Sequence, residues 1–382
     1  MKKTIIHVAQ SAGGVAEYLY MLIKNIDREQ YNNILIVSED YKNQEERFKN
    51  IVEKIYFVPM TREINLKSDL ISIIAIRKIL RKEKSDIVYL HSSKAGAIGR
   101  IALLFNFKRK ILYNAHGWYF NANIGKRKKK IFSIIEKILA IKTDMIINIS
   151  QSEYDSAIKY KIAKSKKMCI IENGIDFSRF KDSNKYREET RAKYNIKEDD
   201  VVIGVVGRIS EQKDPMTSIK AFELVHKENN KTKLMFVGSG ELEKEVLEYA
   251  RQNNIENDII ITGWVNDVEK YIPAFDIAIL PSRWEGFGLV IIEYMACDKP
   301  IVASNVGGIG NIIKNEENGL LINVSDYIEL ANNINNLIKN EVFARRIIEN
   351  NKVYRKKYDI QLEIEKYLKL VNIILYGFRG EE

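Results

Sequence analysis

Short apolar segments alternate with longer amphipathic segments along most of this 382-residue chain. Several of the apolar segments end in a glycine-bearing turn, as at Gly207 after residues 201–206 and at Gly238 after residues 233–237. Alternation of strand and helix signals at these lengths is typical of parallel sheets that are covered by helices on both faces. We therefore predict an α/β fold, in which ligands bind outside the carboxyl ends of the strands.

The chain is long enough for two domains. Residues 178–200 are charged and only weakly periodic, which predicts a linker, and a new apolar strand begins at residue 201. We predict a first Rossmann-like domain over residues 1–180 and a second one over residues 181–361. The last amphipathic segment, at about 362–382, is predicted to form a helix that packs back on the first domain.

The charge balance favours an anionic partner. The chain has 61 Lys and Arg against 51 Asp and Glu, a net charge of +10, which suits nucleic acid, anionic lipid or a phosphorylated substrate. Cys169 and Cys297 lie in apolar surroundings, so we expect both to be buried and reduced. No metal-binding cysteine spacing occurs. No apolar run approaches the length of a membrane span, and we expect a cytoplasmic protein.

A basic run at residues 125–130 leads directly into an apolar helical segment at 131–141, and residues 159–167 form a second basic stretch. Cations beside an apolar helix suit the surface of an anionic bilayer. Nucleic-acid binding would instead need cations interleaved with aromatic side chains on one face. We expect peripheral association with the inner face of the cell membrane and no nucleic-acid partner. The alternative is a solvated charged face.

The most informative stretch, residues 283–293, follows a buried strand predicted at 277–280. The pattern predicts a helix whose first turn carries Glu285, Gly286, Phe287 and Gly288. Glycines beside a helix start let the backbone approach a ligand, and the free amides there favour a phosphate. Glu293 lies a little over two helical turns after Glu285, so both carboxylates would edge one crevice. The alternative is a pair of loop glycines between solvated glutamates.

The turn after residues 201–206 carries Gly207, Arg208 and Lys213. Two cations on one loop beside a helix start would bind a diphosphate without a metal. Surface cations without a specific role are the alternative.

In the first domain, Gly13 and Gly14 form a glycine turn between the first predicted strand and helix. Their spacing is not GxGxxG, so dinucleotide binding is poorly supported. The turn faces either a phosphate or an acceptor, or is purely structural. His91 and His116 each follow directly after a predicted strand, where ligands bind in such sheets. Packing is the alternative for both, although Gly117 frees the backbone beside His116.

These motifs together resemble those of the retaining glycosyltransferases of family 4, which have the GT-B fold of two Rossmann-like, doubly wound domains facing across a cleft. The most specific part is Gly207-Arg208 with Lys213, followed by Glu285 and Glu293 spaced as E-x7-E in the same domain. The resemblance covers nearly the whole chain and also includes Gly13-Gly14, His116-Gly117, residues 173–176 and Gly307-Gly308.

The resemblance implies a role for each matching position. Arg208 and Lys213 would bind the donor diphosphate, Glu293 the ribose hydroxyls, and Glu285 the sugar hydroxyls. The amides of residues 286–288 would hold sugar and phosphate, and His116 would orient the sugar. Further donor-side positions are Gly13, Gly14, Gly207, Gly240, Val265 and Leu289, and the acceptor-side positions are Val15, Glu17, His91 and Lys94.

The resemblance further implies hexosyl or N-acetylhexosaminyl transfer from a nucleotide diphosphate sugar, with UDP the usual nucleotide. The acceptor would be a lipid-linked or polysaccharide intermediate of a capsule, exopolysaccharide or O-antigen. No Asp-x-Asp sequence is present, so we expect no metal and no other cofactor. The resemblance favours front-face attack over double displacement, and the sequence itself leaves both open. The alternatives are a nucleotide-sugar 2-epimerase of the same fold and a non-catalytic protein that binds anionic lipid or nucleic acid.

Overall fold

The computed structural model describes residues 2–10, 13–61, 63–104 and 108–377. It divides the chain into two compact units, Met1–Gly174 with Ile360–Glu382, and Ile175–Asp359. The division predicted from the sequence, at 180/181 and 361/362, lies a few residues later at both points.

The first unit is built on a parallel sheet with the strand order β3-β2-β1-β4-β5-β6-β7. The strands are β1 (Lys3–Ala9), β2 (Tyr31–Ser38), β3 (Lys54–Val58), β4 (Ile87–His91), β5 (Lys110–Asn114), β6 (Met145–Asn148) and β7 (Met168–Ile170). The connecting helices are α1 (Gly14–Asn25), α2 (Glu45–Lys49), α3 (Leu66–Lys82), α4 (Ser93–Ala102), α5 (Lys126–Ala140) and α6 (Gln151–Lys159). The C-terminal helix, Ile360–Tyr376, belongs to this unit and contacts α1.

The second unit has a parallel sheet with the order β10-β9-β8-β11-β12-β13. Its strands are β8 (Val201–Val206), β9 (Thr232–Val237), β10 (Ile259–Ile261), β11 (Ile277–Leu280), β12 (Ile301–Ser304) and β13 (Leu320–Ile322). Its helices are α7 (Tyr186–Lys193), α8 (Pro215–Glu228), α9 (Glu243–Gln252), α10 (Val268–Tyr271), α11 (Leu289–Ala296), α12 (Ile309–Ile312), α13 (Tyr327–Lys339) and α14 (Glu341–Tyr354).

The predicted α/β fold with two Rossmann-like sheets is confirmed. Every residue of β4 and of β11 is buried, because helices cover both faces of each parallel sheet. The strand order reverses between β1 and β4 in the first sheet and between β8 and β11 in the second. At such a reversal the loops leave the strand ends in opposite directions, which opens a crevice for a ligand.

The prediction of a linker over residues 178–200 was wrong. Most of this segment folds as part of the second unit, with α7 packed against residues 272–274. Arg187 and Arg191 on α7 both bind the carboxylate of Asp276, at 2.6 and 3.2 Å. Charged helix residues that are paired with a distant strand end look like a solvated linker in the sequence, because their partners lie far along the chain.

The close packing of β8 suggests a test of the second core. A Cβ atom built on Gly204 would lie 2.1 Å from Cδ2 of Phe275, whose ring is fully buried. We expect Gly204→Ala to lower the free energy of unfolding by about 1–3 kcal/mol, the usual cost of overpacking a core. Thermal unfolding would measure the change. Gly125→Ala is the control, since no atom lies within 4 Å of the added Cβ there, and an equal loss in both variants would contradict the expectation.

Candidate functional site

The centre of the candidate site in the second unit is an ion pair between the ends of two neighbouring strands. Lys213 follows β8 and Glu285 follows β11, and these strands are hydrogen-bonded to each other. The Nζ atom of Lys213 lies 2.5 Å from Oε1 of Glu285, and the Ser282 hydroxyl donates to the same oxygen at 2.9 Å. The two charged side chains are only 19% and 9% exposed. The ammonium group is therefore held at the point where the strand order reverses.

Further hydrogen bonds join the loops that carry this pair. The backbone amide of Arg283 donates to the carbonyl of Gln212 at 2.8 Å, and the Gln212 side chain donates to the carbonyl of Trp284 at 3.1 Å. The Arg283 guanidinium binds the buried carboxylate of Asp214 at 3.0 Å. The two loops are thus fixed to each other on both sides of the Lys213–Glu285 pair.

Asp214 anchors this assembly as the N-cap of α8. Burial opposes its negative charge, but hydrogen bonds from Arg283 and from the Ser325 hydroxyl hold the pKa of Asp214 below its usual value. The carboxylate therefore stays ionised, and it binds the Arg283 guanidinium at the start of α8. This role was not predicted from the sequence. The Asp214-Pro215 pair, which is typical of a helix start, is the only local signal for it.

The prediction that residues 285–288 form the first turn of a helix was wrong. Helix α11 begins at Leu289, and Gly288 precedes it with φ of 93°, a left-handed conformation that ends the loop. Glu285 therefore lies in a loop and Glu293 in a helix, so their separation is not a helical spacing. The three amides of residues 286–288 lie at the amino end of α11, where the helix favours an anion.

The loop at 285–288 is shaped by direct backbone contact with a second glycine pair. A Cβ atom on Gly307 would lie 1.7 Å from the carbonyl oxygen of Glu285, and one on Gly308 would lie 2.5 Å from that of Gly286. The Phe287 ring points into the core, where it packs edge-on against Tyr358 at 5.7 Å. Only the backbone of Phe287 is therefore available to a ligand.

Glycines also shape the part of the site that is formed by the loops after β8 and β9. Gly207 has φ of 146°, and a Cβ there would lie 3.0 Å from Cε of Lys213, so glycine makes room for the lysine stem. Gly240 packs against the carbonyl of Ile209. Arg208 and Glu293 are half-buried near these loops, as is Leu289 at the start of α11. Val265 lies in the turn after β10, which β9 separates from β8.

In the first unit, three of the four histidines form one hydrogen-bonded row. His116 Nε2 lies 3.0 Å from His91 Nδ1, and His91 Nε2 lies 3.2 Å from His7 Nδ1. The row ends at Asn33, whose Oδ1 lies 3.1 Å from His7 Nε2. We call these four residues the histidine row. The sequence suggested His91 and His116 but missed His7 and Asn33, although a histidine inside the apolar run of β1 was a signal.

Burial makes the imidazoles of the row weak bases. It lowers the pKa of His7 to about 4 and that of His116 to about 3, and it lowers the pKa of His91 well below the usual value. Repulsion from the two neighbouring imidazoles adds to the effect at His91. His91 is fully buried, and both of its ring nitrogens are bonded within the row. The expectation that His91 faces an acceptor is therefore corrected, because its ring contacts other imidazoles instead.

The loop that carries His116 is held by Glu153 on α6. The carboxylate of Glu153 accepts hydrogen bonds from the amide of Trp118 at 2.6 Å and from the side chain of Asn121 at 2.9 Å. The His116 backbone itself is left-handed, with φ of 53°, and its amide donates to the Asn114 side chain at 2.8 Å. Burial raises the pKa of Glu153 to about 7.

The other site residues predicted in the first unit lie at α1 and α4. Gly13 precedes α1 and Gly14 begins it, with Val15 half-buried in the same turn. Glu17 forms an ion pair with Arg47, and the Lys94 ammonium binds Asp69 at 2.7 Å. These charged side chains are thus engaged by other side chains of the protein. Their acceptor-side role stays a prediction.

Two family models match this chain. The model of glycosyl transferases group 1 matches residues 186–354, and that of glycosyltransferase family 4 matches residues 12–179. Each match lies almost wholly within one of the two structural units.

Individual relatives are similar over most of their length. The chain is 31% identical to the UDP-Gal:alpha-D-GlcNAc-diphosphoundecaprenol alpha-1,3-galactosyltransferase of Escherichia coli, over 73% of each chain. It is 29% identical to the capsular polysaccharide biosynthesis glycosyltransferase CapM of Staphylococcus aureus, over 93% of each. The solved structure of Anabaena Alr3699/HepE in complex with UDP superposes with a TM-score of 0.80 at 22% identity, covering 97% of this chain and 100% of that one. This last likeness shows a shared GT-B fold.

The pKa of Glu153 leads to a testable pH dependence. Because burial raises this pKa to about 7 from 4.5, the folded state binds a proton more tightly than the unfolded state. The stability that protonation contributes is complete below pH 4.5 and is lost as the pH rises through about 7. We expect Glu153→Gln to reduce the fall in melting temperature between pH 5 and pH 8, as measured by differential scanning calorimetry.

Glu46→Gln is the control for this measurement, because Glu46 is 85% exposed. Burial also raises the pKa of Glu363 to about 8. This residue therefore lowers the melting temperature over the same pH range in every variant. A pH dependence in Glu153→Gln equal to that of the wild type would contradict the expectation.

Proposed function

The chain belongs to the glycosyltransferases of family 4, and from that premise we propose that it transfers a sugar, with retention of configuration, from UDP to a lipid-linked glycan acceptor. Membership of a glycosyltransferase family argues against the two alternatives, a nucleotide-sugar 2-epimerase and a non-catalytic binding protein. The observation that carries the proposal is the Lys213–Glu285 pair at the reversal between β8 and β11.

Glycosyl transfer needs groups that stabilise the negative charge of the leaving diphosphate, and this site contains cations and amide donors. Breaking the bond between sugar and diphosphate develops negative charge on the leaving diphosphate. Lys213 and Arg208 supply fixed positive charge on one loop, and the amides of residues 286–288 supply donors at the start of α11. Preorganised cations and amides of this kind stabilise the leaving group without reorganising during the reaction. We propose that the departing diphosphate is stabilised in this way, without a metal.

Glu285 and Glu293 then take different tasks. Glu285 already binds the Lys213 ammonium, so it both positions that cation and offers its second oxygen to a sugar hydroxyl. Glu293, on the first turns of α11, suits the ribose hydroxyls of the nucleotide. The choice of UDP is supported by the solved structures of Anabaena Alr3699/HepE, which are complexes with UDP and with UDP-glucose.

The proposed acceptor is a sugar carried on a polyprenyl diphosphate. The E. coli relative acts, by its name, on a GlcNAc-diphosphoundecaprenol, and CapM belongs by name to capsular polysaccharide biosynthesis. We propose a place in the assembly of a cell-surface glycan such as a capsule, exopolysaccharide or O-antigen. The first unit would bind this acceptor.

Helix α5 supports binding of the first unit to an anionic membrane surface. Its isoleucines at 131, 134, 135 and 138 are 55%, 47%, 40% and 59% exposed, and Ile141 just after it is 70% exposed. They recur at helical spacing and form one apolar stripe, beside the exposed cations of residues 126–128 and 130. Such a stripe flanked by lysines suits an anionic bilayer. Among the helices that the structure describes, none has the length and apolarity needed to cross a bilayer.

The donor site can be tested with a panel of UDP-sugars and a membrane lipid extract as acceptor, in the presence of EDTA. We expect one donor to be used, and Lys213→Ala to lower kcat about 100- to 1000-fold, the effect of removing one group that stabilises developing charge. Glu293→Ala should raise the KM of the donor about 10-fold or more, as expected for a hydrogen bond to a charged group.

Lys227→Ala is the matched control, since Lys227 lies on α8 with its side chain 67% exposed. Transfer that EDTA abolishes would reject the metal-free step. No turnover of any donor by the wild type would reject the proposed reaction.

Membrane binding can be tested by flotation with vesicles of phosphatidylglycerol and, separately, of phosphatidylcholine. We expect binding to the anionic vesicles that weakens at least 10-fold in the double variant Ile134→Ser, Ile138→Ser, because each isoleucine loses roughly 1.5 kcal/mol or more of burial. Val342→Ser with Val353→Ser is the control, since these α14 residues are 80% and 66% exposed. Equal binding by the wild type and the α5 variant would contradict the assignment.

A further inference from the structure

The histidine row contains three residues for which the proposed diphosphate chemistry has no use. Asn33, His7 and His91 are 3%, 0% and 0% exposed, so none of them reaches a ligand directly. Only His116, at the other end of the row, is half-buried and stands at the carboxyl edge of the sheet. Buried polar side chains of this kind cost stability unless their hydrogen bonds are formed. Any effect of the three buried residues on a ligand must therefore be exerted through His116.

The imidazoles of the row are neutral at neutral pH. Burial holds their pKa values well below 6.5, and the hydrogen-bond partners of the row are imidazoles and an amide, with no carboxylate among the described residues. Tyr18 and Tyr89 pack against the imidazoles of the row. Behind them, Tyr367 stacks on Tyr89, and Glu363 interacts electrostatically with Tyr18. Burial raises the pKa of Glu363 to about 8, so this carboxyl is mostly protonated at pH 7 and offers little charge to an imidazolium.

A neutral imidazole has one N–H and one lone pair, so each ring in the row donates on one side and accepts on the other. Three hydrogen bonds join four residues, and the direction of one bond therefore determines the direction of all. The terminal contact places the Asn33 carbonyl oxygen at His7 Nε2, and a carbonyl oxygen can only accept. With the Asn33 oxygen at this end, the three bonds form when His7, His91 and His116 each carry the proton on Nε2.

We propose that Asn33, His7 and His91 are positioning residues that fix the Nε2–H tautomer of His116, so that its Nδ1 presents a lone pair. This deepens the proposed function and rests on it, since we assign that lone pair to a hydroxyl of the sugar. A group that can only accept at Nδ1 binds a hydroxyl hydrogen and rejects a phosphate oxygen. His116 thereby favours a hydroxyl group over a phosphate oxygen.

The surroundings of His116 hold its ring for this purpose. Its amide is bound by the Asn114 side chain, and the Tyr18 ring meets the imidazole edge-on at 4.5 Å. At the far end, Nδ2 of Asn33 is buried without a hydrogen-bond partner among the described residues. A buried donor without a partner costs stability. The favourable contribution of the Asn33 side chain is therefore the hydrogen bond that its oxygen accepts from His7. An amide also takes up no proton near neutral pH, and the row therefore sets a tautomer rather than conducting protons.

The tautomers can be measured directly by NMR on protein labelled with 15N-histidine, without substrate. The chain has only four histidines, and His226, bonded to Thr232 in the second unit, serves as a reference outside the row. We expect His7, His91 and His116 of the wild type each to show a protonated Nε2 and an unprotonated Nδ1 at pH 7. A His116 that carries its proton on Nδ1 would overturn the proposal.

Transmission along the row is tested by variants that do not touch His116. Asn33→Leu and His7→Phe each remove an acceptor at the far end, and we expect His116 to become a mixture of both tautomers in either variant. Tyr18→Phe is the control, because it keeps the ring against His116 and removes a hydroxyl that is bonded to Tyr89 instead. An unchanged His116 tautomer in Asn33→Leu and His7→Phe would also overturn the proposal.

The functional arm compares transfer rates of the same variants with the active UDP-sugar. Asn33→Leu should lower kcat by about 2- to 10-fold, up to the effect of losing one hydrogen bond, with the KM of the acceptor unchanged. An unchanged kcat with a mixed tautomer would reject the assignment of the lone pair to the sugar. Absence of transfer in the wild type would count against the proposed function alone, because the tautomers are measured without catalysis.

Discussion

Both sheets are covered by helices on both faces, so a polar side chain inside either one must find its partners within the protein. The two units meet this constraint in different ways. The second unit keeps charges at the strand ends, where Lys213 and Glu285 form an ion pair near the start of α11. The first unit places neutral polar groups in the sheet itself, where hydrogen bonds join each member of the histidine row to the next.

This difference suits the two chemical tasks of a glycosyltransferase. A leaving diphosphate gains charge in the transition state, so it benefits from fixed cations and from amides that need no rearrangement. A sugar hydroxyl remains neutral, and it benefits from a neutral acceptor of defined direction. An imidazolium at His116 would favour the diphosphate instead. Burial keeps the pKa of His116 low, and under our proposal this separates the two kinds of recognition.

Much of this organisation could be predicted from the sequence, because strands buried on both faces leave a clear apolar signal and functional groups follow them directly. Lys213 and Glu285 were predicted in that way. The helix start near Glu285 was misplaced, because the left-handed backbone of Gly288 has no unambiguous local signature. The histidine row was missed for another reason. Its contacts join β2, β1, β4 and the end of β5, and pairing between such distant segments depends on strand order, which no local pattern specifies.

The C-terminal helix has a consequence for how the protein is made. Tyr367 on this helix stacks on Tyr89 of β4, and Glu363 accepts a hydrogen bond from the amide of Gly174. Both belong to the first unit, although the whole second unit is synthesised between them. The face of α1 and of the Tyr89 ring that this helix contacts therefore stays uncovered until residues 360–376 have been synthesised. Nascent chains interrupted within the second unit would expose that face, which makes them natural clients of chaperones.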